Sequence, residues 1–198
     1  MSDPFDKLLE EVRDLHLNSP ALLGFCPFPD KFDRQDVEPF HVPAAELMRN
    51  DPALTTDSHE SVRDAFIGAT DVALWRETYK GTRLEQEFRE RFACYCLIGE
   101  GGPFYAPEMG TYVVYMPPGL YYPFHHHPAE EIYYVIAGEA EFLLQGEDSK
   151  ILRSGDHVFH PSNRPHATQT HDKPFMAIVY WRGDQSIAPV LTYPDGDT

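Results

Sequence analysis

The sequence predicts a mainly β protein: a β-sandwich or barrel built from residues 93–198, with an α-helical N-terminal extension, residues 1–92, packed on it. Three observations predict this. From Ala93 onward, short β-branched and aromatic runs recur with turn signals between them, the pattern of an all-β sandwich or barrel. Before Phe92, apolar residues recur at helical spacing. No flexible linker, internal repeat or low-complexity stretch separates the halves, so the helices are expected to lie against the strands.

The helical elements come first. Ser2-Asp3-Pro4 is a helix start, with Pro tolerated in the first turn, and Phe5, Leu8, Leu9, Val12 and Leu15 follow at helical spacing. Residues 18–43 are rich in Pro, Phe and Asp without a sustained period and read as an irregular connection. Ala44 to Met48 reads as a short helix ended by Asn50-Asp51-Pro52. Asp57 or Ser58 is expected to cap a longer helix whose apolar face is Val62, Phe66, Ala69, Val72, Trp75 and Tyr79, broken at Lys80-Gly81-Thr82. Leu84, Phe88 and Phe92 continue with helical spacing, and these aromatics read as packing.

The strands follow. Ala93 to Gly99 and Thr111 to Met116 are strand-like, the second ended by Pro117-Pro118-Gly119. Glu131 to Ala137, Ala140 to Leu144, His157 to His160 and Phe175 to Trp181 complete the series. The turns between them are Ala137-Gly138, Gly146-Glu147, Ser154-Gly155-Asp156 and Ser162-Asn163.

Composition narrows the function. The chain has 198 residues, 42% hydrophobic and 13% aromatic, enough for a packed core. Its net charge of −16 and the lack of clustered Lys and Arg exclude a duplex-binding surface and disfavour anionic lipid. No apolar run reaches the roughly 20 residues of a membrane span. The N-terminus has neither a basic n-region nor an apolar h-region, so no secretory signal is expected and the location reads as cytoplasmic. Cys26, Cys94 and Cys96 are too few for a disulfide framework or a zinc ribbon and read as buried free thiols of a reducing compartment.

The histidines carry the chemistry. Residues two apart in an extended chain face the same side, so His125 and His127 reach one point while His126 faces away. Glu131 follows past Pro128, and His166 lies downstream after Pro165. Three imidazoles and a carboxylate make a mixed N/O site for one divalent metal, Zn, Fe(II), Mn, Co or Ni, with room left for substrate. Tyr133 shares a strand face with Glu131 and points beside the metal, where a dication stabilises phenolate and makes a general base. Tyr122, in the approach to the histidine pair, is a second catalytic or pocket candidate. Tyr134 has the opposite parity and reads as core. His157 and His160 also have opposite parity, so at most one faces the pocket; His160 is assigned there and His157 to the surface.

The full spacing resembles a known family. Gly119, five residues, His125-x-His127, three residues, Glu131, six residues and Gly138 match the first motif of the cupins. Gly155-Asp156, Pro161 and His166 resemble the second, with Asn163 where that motif has Gly and Thr170 where it has Asn. The resemblance implies a double-stranded β-helix, or jelly-roll, barrel. More specifically, Trp75 to Thr82, Cys94 to Gly99, Val113 to Pro117, His125 to Tyr133 and Val179 to Gly183 resemble the cupin-type dimethylsulfoniopropionate (DMSP) lyases. That resemblance implies a metal-dependent carbon–sulfur lyase that splits DMSP into dimethyl sulfide and acrylate by β-elimination begun at Tyr133. The sulfonium would rest against aromatic faces such as Tyr122 or Trp181. Three alternatives stay open at this point: a related lyase acting on another small carboxylate, an Fe(II) dioxygenase using the same ligands, and a non-catalytic cupin that binds a small ligand. Cupin barrels often pair, which leaves room for a homodimer.

Overall fold

The computed structural model describes residues 3–192. Ser2 of the expected helix start lies outside the described residues. Asp3 caps α1 (Pro4–Asn18), its carboxylate accepting from the Phe5 N–H at 2.9 Å. Phe5, Leu8, Val12 and His16 are the buried face of α1. His16 is fully buried; its Nε2 donates to the Cys26 carbonyl at 2.9 Å, and burial lowers its pKa from 6.5, although that hydrogen bond opposes the shift.

The segment expected to be irregular holds a second helix, α2 (Pro20–Phe25). Ser19 caps it through Leu22 N–H, and Pro20 occupies its first turn. Six residues are too few for a 3.6-residue period to register, but the Ser-Pro pair was the available signal. α3 (Pro43–Arg49) ends at Asn50 as expected. α4 (Glu60–Gly68) stops well short of the helix expected to reach Tyr79. Thr70 Oγ1 donates to the Ile67 carbonyl at 2.5 Å, and the chain beyond turns extended. Leu74 bridges Phe40 and Trp75 bridges Tyr95, so sheet pairing overrides the apolar helical spacing. Neither Asp57 nor Ser58 caps α4; His59 precedes it without a side-chain cap. α5 (Glu85–Arg91) buries Phe88 and leads through Phe92 into the sheet.

The strands are β1 (Asp33–Arg34), β2 (Ala93–Ile98), β3 (Phe104–Tyr105), β4 (Gly110–Met116), β5 (Tyr121–His126), β6 (Glu130–Leu144), β7 (Lys150–Arg153), β8 (His157–His160), β9 (His166–Gln169), β10 (Phe175–Arg182) and β11 (Val190–Leu191). They form two sheets that share β6. One runs β1-β3-β2-β4-β10-β6-β8; in the other, β6 pairs with β7 and with β9, followed by β5 and β11. Only β2 and β3 are parallel. The expected turn at Ala137-Gly138 is instead a bend within one 15-residue strand. The first part of β6 pairs with β10 and β8, and the second with β7 and β9. Gly138 has φ +69°, and a Cβ there would stand 1.8 Å from the Pro174 carbonyl oxygen. A glycine at this corner lets one strand serve both sheets.

Parity divides the core. On the first sheet, Tyr95, Val113, Tyr115, Ile132, Met176, Ile178 and Tyr180 face outward and pack with Leu8, Val12, Leu22, Met48 and Phe66 of the helices. Their alternates Cys94, Val114, Met116, Tyr133, Val135, Phe175, Ala177, Val179 and Trp181 face the barrel interior. Both faces of the sheet are therefore apolar, and the helical extension covers the outer one. All three cysteines are free and buried. Among the described residues no helix is long and apolar enough to cross a membrane.

The departures at Asn163 and Thr170 keep the geometry of the barrel's end. Asn163 adopts φ +58°, which Asn tolerates, and its N–H donates to the His127 carbonyl at 2.8 Å. Thr170 Oγ1 accepts from Leu120 N–H at 2.9 Å and donates to the Pro117 carbonyl at 2.6 Å, tying the turn that leads into β5.

The corner yields a prediction. Gly138→Ala is expected to destabilise the fold by roughly 2–4 kcal/mol, from the left-handed backbone and the clash together. Equilibrium urea unfolding measures it, and an unchanged midpoint would refute the corner requirement.

Candidate metal centre and cavity

His125 and Glu131 sit on neighbouring parts of the barrel interior because β5 turns at Pro128 into β6. His166 opens β9, directly across from His125. His127 stands just past the end of β5. All four expected ligands are at most 2% exposed. Three nitrogens, one each from His125, His127 and His166, lie within 4.8 Å of one another, as do ligand atoms of Glu131, His160 and His166.

The imidazoles are oriented from behind. His125 Nδ1 donates to the Pro123 carbonyl at 2.8 Å, His127 Nδ1 to Ala129 at 3.0 Å, and His166 Nδ1 to Arg164 at 2.9 Å. A carbonyl only accepts, so each Nδ1 carries a hydrogen, and a ring in its neutral form would turn an Nε2 lone pair inward. His127 Nε2 and His166 Nε2 are buried without a hydrogen-bond partner. They stand 3.5 Å and 3.2 Å from the two oxygens of Glu131. Lone pairs facing a carboxylate repel unless a cation lies between them. Two ligands about 2.1 Å from one ion stand roughly 3.0–3.4 Å apart, close to the observed spacings. The donor set therefore fits a divalent metal.

The charges agree with this. Burial opposes ionisation of Glu131, but the positive charge that His127 can carry and the close approach of His160 and His166 outweigh it and hold the carboxyl well below its usual range. Burial likewise opposes protonation of His127, yet Glu131 raises its pKa. His125 is held well below 6.5 by burial and by His166.

The cavity opens beside this cluster, with a volume of about 210 Å³. Tyr122, His125, Glu131, Tyr133 and Trp181 line it, as expected of the aromatic candidates. Tyr122 stacks on His125 with ring centroids 4.0 Å apart and shares a hydrogen bond with Tyr79 at 3.2 Å between the hydroxyls. Trp181 Nε1 donates to Glu131 Oε1 at 2.7 Å. Tyr133 is 3% exposed, and its hydroxyl has no hydrogen-bond partner among the described residues. Burial, joined by the Glu131 charge, pushes its pKa well above the phenol range.

Three candidates sort by parity as expected or by contact. Tyr134 packs outward with the helices, and its hydroxyl lies 3.4 Å from His59 Nε2. His157 is exposed. His160 is fully buried but does not line this cavity; it stands behind Glu131, its Nδ1 donating to Oε2 at 2.7 Å. Cross-strand pairing of β8 with β6 puts it there.

Sequence reasoning missed much of the cavity wall. Arg76, Glu77, Thr78, Tyr79, Cys94, Tyr112, Ala188 and Pro189 all line it. Tyr79 was expected on a helix face; it lies instead in a turn, at φ +61°, a costly conformation for a bulky residue that is common at functional sites. The Arg76 guanidinium lies over the Tyr112 ring, 5.2 Å from its centroid. Strand parity put Cys94 and Cys96 on one face without saying which, and nothing local identified the chain after β10 as a wall.

The dimethylsulfoniopropionate lyase family model matches residues 29–177. The chain is 59% identical over 197 residues to the dimethylsulfoniopropionate lyase DddQ of Ruegeria pomeroyi, covering 99% of this chain and 98% of that one. The crystal structure of DMSP lyase DddQ from Ruegeria pomeroyi superposes with a TM-score of 0.96 at 58% identity, over 100% of both chains. A second solved structure, described as of the DMSP lyases RdDddP and RnDddQII, is similar with a TM-score of 0.91 at 31% identity, covering 96% of this chain and 98% of that one.

The cluster predicts its own loss. His127→Ala is expected to strip most of the bound metal from Zn(II)-loaded protein, read by elemental analysis after desalting. Full occupancy in that variant would remove His127 from the ligand set.

Proposed function

The chain belongs to the dimethylsulfoniopropionate lyase family and has a cupin barrel, and from that premise we propose that it cleaves DMSP to dimethyl sulfide and acrylate by a metal-dependent β-elimination. The observation that carries the mechanism is Tyr133: a buried ring that lines the cavity, its hydroxyl without a hydrogen-bond partner among the described residues, two residues along the same strand face from Glu131.

His125, His127, Glu131 and His166 would hold the ion, one of Zn, Fe(II), Mn, Co or Ni. When bound, it supplies a Lewis acid for the substrate carboxylate, which acidifies the adjacent carbon, and a positive charge that favours phenolate at Tyr133. The protein's own groups do the rest. Tyr133 oxygen takes the α-proton. The electrons of that C–H bond form the new C=C bond, and the Cβ–S bond breaks. Its pair stays on sulfur, so the sulfonium leaves as neutral dimethyl sulfide and the carboxylate remains on acrylate. Atoms and charge balance without oxidant or organic cofactor. Trp181, Tyr122, Phe92 and Tyr112 line the cavity with aromatic faces suited to a sulfonium. Tyr122 is fixed by its stacking on His125 and its hydroxyl contact with Tyr79, and we assign it to holding the substrate beside Tyr133.

A dioxygenase with the same ligands gives no use to an unpartnered phenol beside them, and a binding cupin gives none to a base.

Two measurements test the reading. Purified protein supplied in turn with Zn(II), Fe(II), Mn(II), Co(II) and Ni(II) should release dimethyl sulfide from DMSP, read by headspace gas chromatography, with acrylate in equal amount. No product above a boiled control with any of the five would sink the DMSP assignment. Tyr133→Phe should retain its metal and lose about 10²–10⁴-fold in kcat, the range for a general base; full turnover in that variant would exclude Tyr133 as the base.

A further inference from the structure

We propose that His160 is a positioning residue that fixes the Glu131 carboxylate as a ligand from outside the substrate cavity; the inference rests on the reading of Glu131 as part of the metal centre. Glu131 lies on β6, flanked by β8 on one side and β10 on the other. Its cross-strand partners are His160 on β8 and Trp181 on β10. Paired residues project to the same face, so both side chains reach the carboxylate, one from each side. Each donates a single hydrogen bond of 2.7 Å, His160 Nδ1 to Oε2 and Trp181 Nε1 to Oε1.

The consequence is geometric. A glutamate side chain turns about three bonds, and each of its oxygens offers two lone pairs. One donor on each oxygen, from opposite flanks, fixes the plane of the carboxylate. The remaining lone pairs then point toward His127 Nε2 and His166 Nε2, 3.5 Å and 3.2 Å away. His160 also steadies a second ligand: its ring stacks on His166, with centroids 4.0 Å apart and an interplanar angle of 23°.

His160 differs from Trp181 in what else it touches. Trp181 lines the cavity and would meet the substrate. His160 is absent from that wall and instead lines a neighbouring cavity of about 320 Å³, with Phe142, Val158 and Arg164. Its imidazole is fully buried, and Nε2 finds no partner. Among the described residues, the one hydrogen bond of the side chain is therefore that to Glu131. A hydrocarbon would fill this place more cheaply if packing were its only role.

The test is metal affinity, separate from turnover. Wild type, His160→Phe and His160→Asn compete with a chromophoric chelator for Co(II), and the visible d–d spectrum of each complex is recorded. An asparagine amide can stand where Nδ1 stands and keep the donor; phenylalanine keeps the ring and loses it. His160→Phe should bind Co(II) about 10–100-fold more weakly, the cost of losing a partner of a metal ligand, with an altered spectrum. His160→Asn should recover most of the affinity and the wild-type spectrum. Affinity and spectrum unchanged in His160→Phe would overturn the inference while leaving the metal reading intact. Equal loss in the Phe and Asn variants, both folded, would also overturn it, because packing alone would then explain the effect. If His160→Phe does not fold, His160→Leu takes its place under the same criteria. A wild type that binds no Co(II) would overturn the metal reading and this inference together.

Discussion

An ionised carboxylate in the middle of the barrel is the constraint on which the rest depends. Glu131 is 2% exposed, and a charge so placed is costly unless it is paired and hydrogen-bonded. The strands meet that requirement from several directions. β8 and β10 bring a donor to each oxygen, while the β5 end and β9 bring imidazoles. Backbone carbonyls behind those rings fix which nitrogen faces inward. No short segment could supply donors from four strands, so the site exists only once the sheets are paired in register.

That register explains the helical extension. The sheet that carries Glu131, Tyr133 and Trp181 has an interior face committed to the cavity. Its opposite face is as apolar, with Tyr95, Tyr115, Ile132, Ile178 and Tyr180 all buried. A sheet apolar on both faces needs a cover, which α1 to α4 provide. Burying the sheet between two layers also holds β6 and β10, and side chains on rigid strands are placed more closely than those on loops.

What was legible in the sequence follows from this division. Period-2 alternation is a local property, so the pairing of His125 with His127, Tyr133 beside Glu131, and the outward Tyr134 could be read before any contact was known; Glu131 and His166 joined the candidate ligands through spacing that resembles the cupin motifs. The same rule put His157 and His160 on opposite faces; it could not tell that His160 meets Glu131, because that depends on which strand pairs with β6. The helix expected through Trp75 failed for a related reason. Val72, Trp75 and Tyr79 are apolar at helical spacing, but Trp75 is claimed by Tyr95 across the sheet edge. The bend in β6 was read as a turn because a glycine with positive φ looks alike in both; only Pro174, distant in sequence, distinguishes them. The residues 76–79 and 188–189 became cavity wall through tertiary packing, and nothing in their local composition marks it.

The two central readings, metal and base, are bound together by electrostatics. The bare protein opposes a phenolate at Tyr133: burial disfavours the charged form, and Glu131 adds a like charge beside it. The histidines do not offset this. His125 is held neutral by burial, and the positive charge that His127 can carry is already matched to Glu131. A base at Tyr133 would therefore require an additional positive charge within the cluster, which a divalent ion held by His125, His127, Glu131 and His166 would provide. The same burial that keeps the phenol protonated in water's absence makes such a charge act strongly at short range. On the proposed mechanism, placing the tyrosine deep in an apolar barrel would make its basicity conditional on the metal, which would tie the reactive form of the site to its assembled form.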